Sequence, residues 1–408
     1  LGRTLGLVLS GLGFRHRINR VAVNGRHWTP RPDRVKFPAM VADSETQRIA
    51  RLTPLSDVLA SFDLSVGPVA PREEALAKAV GLTLAADAVI TDGRPKAPIA
   101  LRDGYAVRSD ATLDASSYAP APLAGSVRID TGAPMPDGMD AVAALDTVEL
   151  RDGKAAALAP VAPGDGVLAP DTDTTANLKM RLAGARLRHI DVALLEMLGI
   201  ERVMVRQPRV RIACTGDSDI IQGAARLIAL AIDSESGFAV TDHIALEAAL
   251  TDDGEDAVVV IGGTGSGAND KSVQTLARVG QVQFHGIGIT PGETTALGFA
   301  GPRPVLLLPG RIDAALAGWL TIGRRMLARL AFRLIEEQPF TAELARKIAS
   351  PLGLAEVIPV RRRLGRVEPC AQGYLPMQAL ARAEGWLLVP ADSEGYPAGT
   401  RVVVRPWP

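Results

Sequence analysis

A glycine-rich loop between a predicted strand and a predicted helix is the strongest chemical signal in the sequence. Residues 256–261 are almost wholly apolar and rich in β-branched side chains, which predicts a strand buried on both faces of a parallel sheet. The predicted helix covers residues 272–279, so the loop between them presents backbone N–H groups at a helix N-terminus. This arrangement favours phosphate or another oxyanion, and its candidate ligand-binding residues are Gly262, Gly263, Thr264, Gly265, Ser266 and Gly267.

Asp270 closes this loop, and its carboxylate has two interpretations. It could cap the helix that follows, or it could hold a divalent ion against a bound phosphate. A tight turn with a capping aspartate and no ligand is the plain alternative for the whole loop.

Two other loops are expected beside it. Thr215-Gly216-Asp217 follows the predicted strand 210–214, and Leu308-Pro309-Gly310 ends another apolar run. Parallel strands share their carboxyl ends, so the three loops should lie on one edge of the sheet. Their convergence indicates a site for a phosphorylated ligand with a divalent ion. A fourth loop, around Asp103, lies in a turn outside this sheet.

Composition excludes several classes of protein. Lys plus Arg equals Asp plus Glu at 45 each and aromatic residues are 4%, so nucleic acid is not an expected partner. No run of 18 apolar residues is present, so no membrane span is expected. Cys214 and Cys370 stand far apart, which argues against a disulfide scaffold or zinc site and favours a reducing cytoplasm.

The pattern along the 408 residues predicts several domains. The first 40 residues carry eight Lys or Arg and one acid. Three interpretations of this basic segment stay open: a transit peptide, a disordered arm, or an over-long gene start upstream of Met40. The last two are favoured. Apolar residues at helical spacing predict helices over residues 55–62, 72–89 and 182–200. Short strands and turns between them predict a small β lobe. Strands and helices then alternate over residues 207–335, which predicts a doubly wound parallel sheet, and strands return from 336 onward.

The order of motifs resembles the molybdopterin molybdenumtransferase family, comprising MoeA and the E domain of gephyrin, from about residue 52 to 408. The longest match is RIDTGAPMPDGMDAV (residues 128–142), which is similar to the family's TGAPxPxGADAV. LRDGYAVRSD resembles its MDGYA loop, CTGDSD its STGDEL, VIGGTGSGANDKS its SGGVSVGxxDY, ITPGETTALG its KPGKPxxFG, and LLLPGRIDA its LPGNPVSA.

The resemblance implies a multidomain fold of the α/β plus β class and a homodimer in which one subunit's β lobe completes the other's site. The implied parts are a basic N-terminal extension (1–50), a helical linker lobe (51–96 and 167–206), an inserted β lobe (97–166), a MogA-like α/β domain (207–335) and a C-terminal β domain (336–408).

The activity implied by the resemblance is Mg²⁺-dependent insertion of molybdenum from molybdate into adenylylated molybdopterin, with release of AMP. Asp103, Asp217 and Asp270 would be the catalytic acids, and Asp217 and Asp270 would hold the magnesium ion. Ligand-binding residues would be those of the glycine loop together with Thr131, Thr215, Gly292, Pro309, Gly310 and Arg311. Molybdoenzymes are further candidate partners.

Departures from the family pattern keep two other functions open. Thr290 and Glu293 replace the lysines of KPGKP, and Arg311-Ile312 replaces the Asn-Pro of LPGNP. The missing lysines would contact molybdate or phosphate, and exchanging a lysine for a glutamate reverses the sign of that interaction. The chain is therefore also a candidate carrier of molybdopterin or finished cofactor, or a scaffold. Because a scaffold has no need of glycine loops, their presence favours the carrier over the scaffold.

Overall fold

The computed structural model describes residues 47–151, 153–241, 244–333 and 339–407. The basic extension predicted over residues 1–50 therefore lies, up to residue 46, outside the described part of the chain. Within the described ranges, no helix is both long enough and apolar enough to cross a membrane.

The described residues before 207 form short strands, two α-helices and a β-rich insertion. The insertion contains two small three-stranded sheets. In one, β6 (Gly104–Val107) lies between β8 (Val127–Ile129) and β9 (Ala141–Ala144). In the other, β11 (Lys154–Ala157) lies between β7 (Ala121–Pro122) and β10 (Val148–Arg151). In chain order the elements are β1 (Thr53–Pro54), α1 (Leu55–Ser65), β2 (Arg72–Ala75), β3 (Thr83–Leu84), β4 (Ala88–Val89), β5 (Ile99–Ala100), β6 (Gly104–Val107), β7 (Ala121–Pro122), β8 (Val127–Ile129), β9 (Ala141–Ala144), β10 (Val148–Arg151), β11 (Lys154–Ala157), β12 (Val167–Leu168), β13 (Lys179–Arg181), α2 (His189–Met197) and β14 (Arg202–Arg206).

The helix predicted over residues 72–89 is wrong. Strands β2, β3 and β4 and one 3₁₀ turn occupy that segment. β2 and β3 both pair with β14, and Leu76 and Leu84 lie in the core that these strands enclose. Pairing with a strand far along the chain outweighs the local helical spacing. The helix predicted over residues 182–200 is present but shorter, as α2.

Strands and helices alternate from residue 209 to residue 331, as the sequence predicts. The elements are β15 (Arg209–Cys214), α3 (Asp219–Ser234), β16 (Phe238–Val240), α4 (Leu246–Thr251), β17 (Ala257–Ile261), α5 (Ser272–Val279), β18 (Gln281–His285), β19 (Ile287–Thr290), β20 (Ala296–Ala300), β21 (Arg303–Leu308), α6 (Ile312–Gly318), a π-helical turn (Trp319–Gly323) and α7 (Arg324–Ala331).

Helices cover both faces of the sheet in this region. Its strand order is β16–β15–β17–β21–β20–β18, with the first four strands parallel. Along β17, Val259 and Ile261 face a core shared with α3 and α6, whereas Val258 and Val260 face a core shared with α4 and α5. Every residue of β17 is buried, which explains its continuous apolar run.

The sheet is not wholly parallel, which corrects one detail of the prediction. β20 and β18 are antiparallel additions at one edge, and the short turn between β20 and β21 allows only an antiparallel pair. β19 is not part of this sheet and pairs with β1 and with a C-terminal strand, β24 (Ala355–Arg363).

The C-terminal residues form a mostly antiparallel β domain, as expected. Its main sheet has the order β1–β19–β24–β26–β28–β22, with β25 beside β24, so it incorporates strands from two earlier parts of the chain. The elements are β22 (Phe340–Glu343), β23 (Ile348–Ala349), β24 (Ala355–Arg363), β25 (Arg366–Pro369), α8 (Met377–Arg382), β26 (Gly385–Val389), β27 (Gly395–Tyr396) and β28 (Arg401–Pro406).

A buried tryptophan dictates the glycine in the π-helical turn. Trp319 is 0% exposed, and a Cβ atom built on Gly323 would lie 2.2 Å from the Trp319 ring. Gly223 in α3 is also helical, but a Cβ atom there meets nothing within 4 Å. The two glycines therefore provide a matched pair of sites.

We predict that Gly323→Ala and Gly223→Ala change stability in opposite directions. Overpacking against Trp319 should lower the free energy of unfolding by about 1–3 kcal/mol. Gly223→Ala should raise it by about 0.5–1 kcal/mol, because alanine has the higher helix propensity. Urea denaturation measures both values. Stabilisation by Gly323→Ala would contradict the packing account.

Candidate functional site

Three loops meet at the carboxyl edge of the parallel strands, as the sequence predicts. The Gly262 N–H donates to the Leu308 carbonyl at 2.8 Å, and the Thr215 N–H donates to the Ile261 carbonyl at 3.1 Å. The loops that start at Thr215, Gly262 and Pro309 are therefore adjacent. We call this edge the glycine rim, comprising residues 215–217, 262–270 and 309–310.

Close packing between these loops explains part of the glycine pattern. Gly262 has φ +95°, and a Cβ atom there would lie 2.4 Å from the Thr215 hydroxyl oxygen. A Cβ atom on Gly310 would lie 3.5 Å from the Gly262 Cα. Gly262 is therefore needed for the loops to approach one another, whether or not a ligand binds, whereas a side chain on Gly310 would make only ordinary van der Waals contact with Gly262.

Asp270 stabilises the glycine loop and does not cap the helix with its side chain. Its Oδ2 atom accepts a hydrogen bond from the Gly267 N–H at 2.9 Å. The residue at the N-cap of α5 is Lys271, which makes no side-chain capping bond. Capping of α5 by Asp270, one of its two predicted roles, is therefore wrong; a role as a metal ligand stays a prediction.

Two side chains that the sequence analysis did not single out support the loop from behind. The amide nitrogen of Gln47 donates to the carbonyls of Gly263 and Gly265 at 2.6 and 2.7 Å. The Nε2 atom of His285 lies 2.9 Å from the Thr264 carbonyl oxygen. Neither residue belongs to a motif, and Gln47 lies more than 200 positions from its partners, so no local sequence signal could have found it.

The segment that contains Glu293 lies beside the glycine loop. The hydroxyl oxygens of Thr264 and Thr294 are 2.9 Å apart, which joins the two loops directly. Glu293 is half-buried and accepts a hydrogen bond from the Gly292 N–H at 3.1 Å. A carboxylate therefore stands where the resembling family presents a lysine.

Arg311 is held by an acid of its own helix rather than extended into the rim. Its guanidinium donates to both carboxylate oxygens of Asp313, whose side chain is almost fully buried, and lies 4.9 Å from the centre of the Tyr374 ring. These hydrogen bonds raise the pKa of Arg311 above its usual value, with a smaller contribution from Glu293. The positive charge of Arg311 is therefore matched locally by Asp313.

A cleft of about 470 Å³ adjoins the rim on the side of α3. Its lining includes Cys214 and Asp217 from the β15 end, Gln222 and Arg226 from α3, and Thr241 after β16. Burial and the nearby Asp217 carboxylate raise the pKa of the Cys214 thiol, which keeps it protonated at neutral pH. Among the residues that the structure describes, Arg226 has no hydrogen-bond or ion-pair partner.

Asp103 and Thr131 contact each other but not the glycine rim. Asp103 accepts hydrogen bonds from the Thr131 N–H at 2.8 Å and from its hydroxyl at 2.9 Å, which lower the pKa of the Asp103 carboxyl. Both residues are exposed on the inserted β lobe. Of the predicted site residues, the structure brings together those of the rim and Gly292, and leaves Asp103 and Thr131 as a separate pair within the chain.

The acids of the rim do not make a complete metal cage. Over the described ranges, no group of three or more His, Cys, Asp or Glu side chains is placed to hold a metal ion. Mg²⁺ commonly binds through one or two carboxylates together with waters and substrate phosphates. The described donor set therefore does not fit a magnesium ion held by protein side chains alone, and a magnesium ion bound by Asp217 and Asp270 would need further ligands from water or a bound molecule.

The fold and the rim define a multidomain α/β protein of the class that binds ligands at the carboxyl ends of its strands. Three family models match consecutive parts of the chain: the MoeA N-terminal region (domains I and II) at residues 47–199, the probable molybdopterin binding domain at 224–329, and the MoeA C-terminal region (domain IV) at 341–407. The chain belongs to the MoeA family.

Relatives and solved structures agree with this assignment. A putative molybdopterin biosynthesis protein of Methanocaldococcus jannaschii is 26% identical over 76% of this chain and 87% of its own length. Molybdopterin molybdenumtransferase 2 of Mycobacterium tuberculosis is 25% identical over 81% and 93%. A crystal structure of the molybdopterin biosynthesis MoeA protein from Pyrococcus horikoshii superposes with a TM-score of 0.70 at 26% identity, covering 88% of this chain and all of that one.

We predict that Thr131→Val raises the pKa of Asp103 part of the way toward its ordinary value. The variant loses the hydroxyl donor and keeps the backbone N–H. Because the folded-state pKa is depressed, the stabilisation from Asp103 is present at neutral pH and is lost as the pH falls through that pKa, and the variant has less of it.

Carboxyl-carbon NMR titration measures this pKa. Asp140, whose pKa is lowered by hydrogen bonds from Ser109, is the internal control and should not move. An unchanged pKa at Asp103 would contradict the assigned role of the hydroxyl.

Proposed function

We propose that this protein binds molybdopterin or its adenylylated form at the glycine rim, acts in molybdenum cofactor biosynthesis, and inserts molybdate slowly or not at all. Slow or absent insertion is supported by the position of the Glu293 segment beside the glycine loop, together with the pairing of Arg311 and Asp313.

Binding is supported by the shape and chemistry of the rim. The glycine loop ends a buried strand and leads into α5, an arrangement suited to phosphate. Thr215, Ser266, Pro309 and Gly310 border the same edge, and the adjoining cleft has the volume of a small-molecule site, with Arg226 as a cation on its wall. A scaffold would require none of these features.

Slow insertion follows from the charges around residue 293. Arg311 contributes one positive charge, whereas Glu293 and Asp313 contribute two negative charges. Two like unit charges 4 Å apart repel by about 4 kcal/mol at an effective dielectric constant of 20. Molybdate is a dianion, so these charges beside the rim disfavour it, whereas a lysine at position 293 would attract it.

We propose that Asp217 and Asp270 would hold a magnesium ion together with the phosphorylated ligand. Once bound, it would act as a Lewis acid and as a template that orients the phosphates. Asp217 and Asp270 would supply carboxylate oxygens, and Asp270 would at the same time hold the loop through the Gly267 N–H.

We further propose a homodimer in which the inserted β lobe of one subunit reaches the rim of the other. Asp103 and Thr131 form a pre-arranged pair on that lobe and do not contact the rim of their own chain. Sedimentation velocity tests this step, and a monomer at micromolar concentration would contradict it.

Insertion of molybdate with release of AMP is the second candidate function. The acids that the family resemblance assigns to it, Asp103, Asp217 and Asp270, are all in the sequence, and two of them lie on the rim. The two functions make opposite predictions for a single substitution at Glu293.

The test is molybdate-dependent AMP release from adenylylated molybdopterin by the wild type and by Glu293→Lys. We expect little or no release from the wild type and a gain in the lysine variant, because the substitution reverses the charge facing molybdate. Glu247→Lys, on the exposed surface of α4, is the control for the change in net charge. Wild-type turnover equal to that of an ordinary family member would defeat the proposal.

We predict that Asp270→Asn weakens Mg²⁺-dependent binding of molybdopterin and leaves the thermal midpoint nearly unchanged. Asparagine retains an oxygen that can accept from the Gly267 N–H, but it loses the charge that would attract magnesium. Calorimetric titration with and without Mg²⁺ gives the affinities.

Asp253→Asn, at an exposed position ahead of β17, is the matched control. If Asp270→Asn binds as the wild type does in the presence of Mg²⁺, Asp270 serves only the loop.

A further inference from the structure

The carbonyl oxygens of three successive peptides in the glycine loop are all held by side chains. Gln47 donates to the Gly263 and Gly265 carbonyls, and His285 lies at hydrogen-bond distance from the Thr264 carbonyl. Ser272 also donates to the Gly263 carbonyl, from its N–H at 3.1 Å and its hydroxyl at 2.6 Å. Each of these three peptides is therefore held in its orientation through its carbonyl oxygen.

The N–H group of each of these peptides points away from the side chain that holds the carbonyl of the same peptide. In a trans peptide the N–H and the C=O lie on opposite sides of the bond, so the N–H groups of Thr264, Gly265 and Ser266 are directed away from the groups that hold the carbonyls. None of these three N–H groups donates to another residue in the described part of the chain. Successive free N–H groups form a concave site for an anion.

Gln47 is suited to hold this arrangement. Its amide has two N–H donors, and each meets one carbonyl, at 2.6 and 2.7 Å. The residue is 5% exposed, so water cannot easily replace it. Without it, the Gly265 carbonyl loses its donor, so the Gly265–Ser266 peptide can rotate this oxygen toward the anion, where it would repel, whereas Ser272 still holds the Gly263 carbonyl.

We propose that Gln47 is a positioning residue for the oxyanion-binding amides of the glycine loop. It does not touch the anion; it orients the N–H groups that do. The inference rests on the proposed function for the identity of the natural anion, a phosphate group of the ligand, and adds a residue from outside the α/β domain to that site.

The test uses inorganic phosphate and follows the amide NMR signals of Thr264, Gly265 and Ser266 in the full chain. Phosphate should shift these signals saturably in the wild type. In Gln47→Met, which has similar volume and no donor, the phosphate affinity should fall about tenfold, the scale of one lost net hydrogen bond. Gln281→Met, four residues from His285 along β18 and exposed, should bind as the wild type does.

A purely structural role would lower the thermal midpoint and leave the affinity of the folded protein unchanged. Gln47→Asn keeps the amide but reaches at most one carbonyl, so it should bind phosphate with intermediate affinity. This variant provides the test if Gln47→Met does not fold. Equal phosphate affinity of Gln47→Met and the wild type would overturn the inference, as would wild-type amides that do not respond to phosphate.

Failure of the proposed function is a separate result. A wild type whose loop amides respond to phosphate but which does not bind molybdopterin would refute molybdopterin as the ligand and leave the role of Gln47 supported.

Discussion

In-register pairing of three parallel strands is the constraint on which the candidate site depends. Cys214 pairs with Ile261, and Ile261 pairs with Leu308, so β15, β17 and β21 end at the same level. A loop follows each of these strands directly, so the three loops lie next to one another. Gly262 is needed at the contact because a Cβ atom there would lie 2.4 Å from the Thr215 hydroxyl oxygen. The rim follows from strand register before any ligand is considered.

The rim and its neighbouring segment differ from the family motif in charge, because Thr290 and Glu293 stand where the motif has lysines. Gln47, His285 and Ser272 hold the carbonyl oxygens of the glycine loop. The neighbouring segment presents Glu293, and the only cation in the LPG loop is paired with Asp313. We propose that such a site attracts phosphate at its backbone and disfavours molybdate beside it, which suits retention of the pterin better than delivery of the metal.

Much of the α/β domain could be predicted from sequence because its signals are local. The buried run before Gly262 and the helix from Ser272 to Val279 have nearly the predicted bounds, since a glycine loop marks both ends. The segment 72–89 was predicted wrongly because its apolar spacing also suits a strand pairing with β14, which no local pattern reveals. The antiparallel edge formed by β18 and β20 was missed for the same reason.

The sequence predicts which glycines and acids of the site follow the strands, but it does not predict the side-chain contacts that hold them. Thr215, Gly262 and Gly310 come together because parallel strands must share an edge. The support from Gln47 and His285, and the stacking of Arg311 on Tyr374, depend on contacts between distant segments. Asp313 stands only two residues from Arg311, but its burial, which holds the guanidinium, appears only in the fold.

The central claim is that the rim accepts the pterin and disfavours molybdate. Equilibrium binding of adenylylated molybdopterin and of molybdate to the same wild-type preparation tests it most directly. We predict saturable binding of the pterin and no measurable binding of molybdate, in either the presence or the absence of the pterin. Tight molybdate binding, or no binding of the pterin, would contradict the claim.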